Sequence, residues 1–123
     1  MLAHPAVFLP NAAELLAITR TTEIGAGLAA LRERVGTLAV KLGADGSRAM
    51  RGPLEAHAGI VPVELVDTTG AGDSFDAGFI YGYLAGWDLM RTLRLAAACG
   101  SLSTRAAGGT AAQPTLAEAL AHV

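Results

Sequence analysis

The chain lacks a second cysteine. Its one cysteine, Cys99, has no internal partner, so no disulfide braces the fold, and a reduced, cytoplasmic setting is expected. A basic excess is also missing. Nine Lys and Arg stand against eleven Asp and Glu, for a formal net charge of −2. Nucleic acid is therefore not the expected partner, because a phosphate backbone needs clustered positive charge. No apolar run approaches the ~20 residues of a membrane span; uncharged stretches such as 77–87 and 95–104 fall well short of it. Residues 1–10 have no basic n-region before an apolar core, so neither a signal peptide nor a membrane partner is expected. His4, His57 and His122 lack the spacing of a metal-binding set. No G-x-S-x-G nucleophile turn, internal repeat or low-complexity tract occurs.

What is present is enough for one domain. At 123 residues a chain buries roughly two-thirds of the surface it exposes when unfolded. Residues 6–9 read as a short buried strand ended by Pro10, and Asn11 opens a helix to Thr19. Thr22 is the expected cap of a helix over 23–35, with Ile24, Leu28, Leu31 and Val35 on one face. A strand follows over 37–42, then the turn sequence Gly43-Ala44-Asp45-Gly46 and two short antiparallel strands, 47–50 and 54–58. A β-branched run over 60–66 predicts another strand. Helices are predicted over 71–85, over 89–105 with Asp88 as cap, and after Thr115 through His122. The alternation is that of an α/β fold.

The most informative stretch is Asp67-Thr68-Thr69-Gly70-Ala71-Gly72-Asp73, at a strand-to-helix junction. A glycine turn opening a helix aims several free backbone N–H groups at one point, which attracts anions. An aspartate in the first turn is favoured as its charged form by the helix dipole. A carboxylate beside an anion-binding turn suits phosphoryl transfer, where a base accepts a hydroxyl proton and donors face the moving phosphoryl group. The bland alternative is a first-turn aspartate with no further role.

This stretch resembles the C-terminal signature of the ribokinase/PfkB family of carbohydrate kinases. Three other stretches resemble family motifs in the family's order: Pro10-Asn11-Ala12-Ala13-Glu14, Val40-Lys41-Leu42-Gly43-Ala44-Asp45-Gly46, and Gly108-Gly109-Thr110-Ala111-Ala112-Gln113-Pro114. The resemblance implies the C-terminal part of a ribokinase-like three-layer α/β/α sandwich. Residues 1–123 would form a single domain holding the nucleotide-binding and catalytic-base part. The N-terminal sugar-binding and lid part of the family has no counterpart here, so the chain is expected to be a fragment or a reduced relative.

The resemblance also implies roles. Asp73 would be the general base, and the N–H groups of Gly70, Ala71 and Gly72 the anion hole, in transfer of the ATP γ-phosphate to a sugar or related alcohol. Asn11 and Glu14 would orient Mg²⁺, its water and phosphate, although Asn at the cap with Glu three residues on also reads as a capping box. Lys41, Gly43 and Gly46 fall where the family contacts nucleotide. Lys41 either faces phosphate or caps the strand end, and a tight turn alone would explain both glycines. Asp67 and the carbonyl of Thr69 match positions that bind a monovalent cation, K⁺, in many relatives. The alternative reading is a non-catalytic nucleotide-binding module, or a truncated remnant without a sugar site. Self-association, or a missing N-terminal half supplied by another polypeptide, is expected from apolar surface left uncovered.

Other features are expected to be structural. Gly25-Ala26-Gly27-Leu28-Ala29-Ala30 scans as G-x-G-x-x-A but follows no strand, so close helix packing is its expected use. Asp76, one turn past Asp73, is expected only to decorate the helix start. Cys99 and Trp87 are expected to pack.

Overall fold

The computed structural model describes residues 7–32, 34–62, 70–105 and 115–123. Four strands form one sheet in the order β1 (Val7–Phe8), β2 (Thr37–Lys41), β3 (Ser47–Arg51), β4 (Leu54–Ala58). β1 lies parallel to β2, with Val7 opposite Thr37. A parallel pair needs a crossover, and here it consists of α1 (Ala12–Thr19) and α2 (Ile24–Arg32). β2, β3 and β4 are antiparallel neighbours joined by short turns.

β2 explains the layering. Its residues Thr37 to Val40 are all buried, as expected of a strand covered on both faces. Leu38 and Val40 join Leu15 of α1, Leu28 of α2 and Met50 in one cluster. Ala39, with Ala49, Ala56 and Ala58, meets the other layer, α3 (Ala71–Leu84) and α4 (Leu89–Leu102), through Phe75, Phe79, Leu89 and Leu93. Small alanines on that face give room for two phenylalanines whose ring centroids lie 6.4 Å apart. Full burial of a side chain such as Phe79, at 0 % exposure, stabilises by roughly 2–3 kcal/mol. The result is the α/β/α arrangement that the motifs imply.

α3 and α4 approach closely because α3 carries glycine where they touch. A Cβ on Gly78 would lie 2.9 Å from Cys99 Sγ, and one on Gly82 would lie 2.9 Å from Thr92 Oγ1. Gly27 packs in the same way on Leu15 and Thr19 of α1, so the G-x-G-x-x-A stretch serves helix packing. Cys99 is half-buried, and burial pushes its thiol pKa up, which makes it a poor nucleophile. Trp87 packs edge-on to Tyr81, with Arg91 stacked 4.4 Å above its ring centroid.

Some expectations shift. α2 ends at Arg32, three residues before Val35. Thr22 is an exposed bend residue, and it is Thr21 whose hydroxyl makes the local bond, to Thr19 Oγ1 at 2.8 Å. α4 stops at Leu102 and tightens into a 3-10 turn, Ser103–Arg105. The last helix, α5, is Leu116–Leu120. Of the strand expected over 60–66, residues 60–62 carry no strand and the rest lies outside the described residues. Among the described residues, no helix is long and apolar enough to cross a membrane.

Candidate active site

The site is built where β1 and β2 end beside the start of α3. Leaving β1, the chain runs through Pro10, whose carbonyl accepts the Lys41 N–H at 3.1 Å. Asn11 then pairs with Lys41 in a parallel bridge. The same Asn11 caps α1: its Oδ1 accepts the Glu14 N–H at 2.8 Å, and Glu14 Oε1 accepts the Asn11 N–H at 2.9 Å. The capping box is therefore closed. It spends one side-chain oxygen of each residue and leaves Asn11 Nδ2 and Glu14 Oε2, on exposed side chains, for other partners.

The start of α3 is different. Gly70 stands at the cap with φ 79°, a left-handed conformation, and among the described residues no side chain caps the helix. α1, α4 and α5 are each capped by a side chain, from Asn11, Asp88 and Thr115. The first intrahelical bond of α3 runs from Ser74 N–H to Gly70 O at 2.9 Å, so the N–H groups of Ala71, Gly72 and Asp73 precede it. Such groups carry the partial positive charge of the helix end. A Cβ on Gly72 would meet nothing within 4 Å, and Gly72 and Asp73 line an open cleft. Asp73 is exposed there.

One turn further along α3, Asp76 Oδ1 accepts a hydrogen bond from Lys41 Nζ at 2.7 Å. The ammonium also sits 5.8 Å from the centroid of the Phe75 ring, within reach of the ring's negative face. Lys41 thus neither faces solvent nor simply caps its strand. Asp76 does more than decorate the helix start: it is the functional candidate the sequence reading missed. Its signal was its spacing, since positions i and i+3 share a helix face, which sets Asp76 beside Asp73.

An open cleft of about 660 Å³ brings Asn11, Glu14, Lys41, Gly72, Asp73 and Asp76 together, walled by Phe8, Leu9, Pro10, Ala17 and Ile18. Gly70 and Ala71 adjoin it through the α3 start. Gly43 and Gly46 lie outside its lining, in the turn after β2. Asp67, Thr69 and the loop 108–114 lie outside the described residues. The cleft holds three carboxylates against one ammonium, and Lys41 is the chain's single lysine. A polyphosphate entering it therefore requires further positive charge. Among the described residues, no three His, Cys, Asp or Glu side chains are grouped to enclose a metal. Mg²⁺ shared with phosphates keeps several waters and uses one or two protein carboxylates, and Glu14 Oε2 and the exposed Asp73 carboxylate are oxygens the cleft offers it.

A second recess, about 270 Å³, gathers His57, Arg94 and His122 beside Gly59, Ile60 and Val61. His57 Nε2 lies 3.4 Å from the Asp45 carbonyl.

Comparison with known proteins gives the family and the fold. A sugar kinase of Archaeoglobus fulgidus is 38 % identical over 95 residues, covering 77 % of this chain and 38 % of the relative. Ribokinase of Arabidopsis thaliana, solved with ribose and ATP, superposes with a TM-score of 0.83 at 32 % identity, over 94 % of this chain and 39 % of that one. A structure from Escherichia coli, assigned as a ribokinase II and holding ATP and Mg²⁺, gives 0.86 at 31 % identity, over 94 % of this chain and 38 % of that one. The chain thus spans about two-fifths of the length of these relatives. With residues 1–116 matched by the profile described as pfkB family carbohydrate kinase, the chain belongs to that family.

Proposed function

We propose that this chain is the nucleotide-binding and base-carrying part of an ATP-dependent carbohydrate kinase. One observation carries the reading: Asp73 stands in the first turn of α3, opened by Gly70, and shares a cleft with Asn11, Glu14 and Lys41. Asp73 would take the proton from the acceptor hydroxyl as its oxygen attacks the γ-phosphorus. The N–H groups of Gly70, Ala71 and Gly72 would face the charge on the transferring group. Asn11 and Glu14 would hold Mg²⁺ through its water shell, and the metal's charge would offset the surplus of carboxylates. Gly43 and Gly46 would let the nucleotide approach the turn after β2, and Asp67 with the Thr69 carbonyl would bind a monovalent cation. The acceptor is a sugar or related alcohol, and the groups that choose it would come from the part of a family kinase that this chain does not span.

The test is turnover and binding on the same preparation. Mg·ATP should raise the melting temperature of the chain. With a panel of sugars, ATP consumption should fall by at least about 10²-fold in Asp73→Asn, the scale of a lost general base. Thermal stabilisation by Mg·ATP without turnover on any sugar would favour the second reading, a nucleotide-binding module without its own acceptor site. No stabilisation and no turnover would sink both.

A further inference from the structure

The cleft contains an ion pair that the roles above do not use. Lys41 leaves the end of β2, and Asp76 leaves α3 one turn after Asp73. Their 2.7 Å contact therefore bridges the strand side of the site and the helix side. Both side chains are more buried than ordinary surface ions, at 18 % and 32 % exposure. An ammonium has three N–H donors. Asp76 takes one of them, and the Lys41 ammonium has no other hydrogen-bonded partner among the described residues.

Asp76 is an odd residue to find here. A cleft that admits a polyphosphate gains nothing electrostatically from a third carboxylate. Its presence is explained if its effect is exerted through Lys41. A lysine side chain is long and rich in rotamers, so an untethered Lys41 would sample solvent. The bond to Asp76 fixes its ammonium over Phe75 and leaves two N–H groups for an anion.

We propose that Asp76 is a positioning residue: it holds the Lys41 ammonium inside the cleft, beside the Asp73 turn, where its remaining donors receive the phosphates of the nucleotide. This inference rests on the nucleotide reading given above and deepens it. It makes Lys41 a direct phosphate contact and Asp76 the residue that orients it.

The proposal has a signed consequence. By Coulomb's law alone, removing a carboxylate from an anion's path should tighten binding. If Asp76 acts by holding Lys41, Asp76→Asn should instead weaken it. A double-mutant cycle separates the two effects, because coupled neighbours depart from additivity. Mg·ATP affinity would be measured by calorimetry on the whole chain as Asp76→Asn, Lys41→Met, the double variant and Asp76→Glu, with the melting temperature of each recorded without nucleotide.

Asp76→Asn should weaken Mg·ATP binding about tenfold, within the coupling range for contacting residues. In the Lys41→Met background the same change should be neutral or should tighten binding, since only repulsion is then removed. Asp76→Glu, which keeps the carboxylate, should recover part of the affinity. Because Lys41 is the only lysine, a phosphate-bearing aldehyde trapped by borohydride should add to one side chain, told apart from the α-amino group by peptide mass mapping, and Mg·ATP should protect it. Tighter binding in Asp76→Asn alone would overturn the proposal, as would equal losses in both backgrounds or labelling indifferent to Mg·ATP. A merely structural pair would lower the melting temperature and leave the sign of the cycle unchanged, which also overturns it. Absence of Mg·ATP binding to the parent chain would instead sink the nucleotide reading, and this inference with it.

Discussion

Gly46 carries a φ of 87°, and a Cβ there would run into the backbone carbonyl of Ala58. The turn after β2 therefore requires glycine on two counts: the left-handed conformation and the close return of the chain at β4. Gly46→Ala should cost about 2–3 kcal/mol, from strain of that order at a forbidden φ together with displacement of β4. Chemical denaturation checks it: a change under about 0.5 kcal/mol, the range of neutral surface substitutions, would mean the turn can re-form elsewhere. At this scale the sequence was partly legible. Asn11 and Glu14 are three positions apart, so their reciprocal bonds could be read from local spacing. Asp88 likewise caps α4, accepting the Arg91 N–H at 2.8 Å. The equivalent box of Thr115 and Glu118 went unnoticed, although its spacing carries the same signal. Lys41 and Asp76 are separated by 35 positions. No local rule pairs residues across that distance; only the docking of α3 onto the sheet does so.

α3 is the element on which the site depends. It delivers Gly72, Asp73 and Asp76 to the cleft from one end, while its body packs on α4. Its apolar character was plain from the sequence, but the reason for its glycines was not, because a glycine inside a helix is normally a weakness. Here each marks a backbone approach. A Cβ on Gly78 would lie 3.0 Å from the Ala96 Cα, and one on Gly82 would lie 3.1 Å from the Thr92 Cα. Both contacts are to backbone, which cannot rotate away. On an isolated helix, replacing both glycines by alanine would stabilise by about 2 kcal/mol through propensity. In this fold Gly78→Ala with Gly82→Ala should destabilise by about 1–3 kcal/mol, the cost of overpacking. It should also weaken Mg·ATP binding by tilting the α3 start away from Lys41. A stabilised double variant would show that α3 and α4 can separate freely, and that the glycines do not hold Asp73 in register. The ends of helices were harder to read than their centres. α2 stops before Val35, yet Val35 still packs against the cluster of Leu15 and Leu28: an apolar residue can cover a core without being helical, so periodicity overran the helix.

For the whole molecule, layer order was legible because β2 is apolar at successive positions while α1 and α4 bury different faces of the sheet. What the chain packs against beyond itself was not, because an exposed apolar side chain looks like a buried one in sequence. On the outer face of α3, Ile80 is 45 % and Leu84 is 77 % exposed, one helical turn apart, with Tyr81 beside them at 44 %. β1 contributes two residues at one end of the described sheet, with a partner only on its β2 side. A strand edge without a partner among the described residues and a contiguous apolar face are both association hazards. The chain is therefore expected to self-associate in solution, with a mass by light scattering that rises with concentration. Ile80→Lys with Leu84→Lys should lower that mass towards 12.5 kDa. The melting temperature should stay near the parent's, since surface substitutions usually change stability by less than about 0.5 kcal/mol. If association persists in this variant, the β1 edge becomes the responsible surface, and Phe8→Pro, which removes a backbone donor there, becomes the discriminating change. A parent chain that stays monomeric throughout the dilution series would mean that neither surface is sticky enough to need a partner.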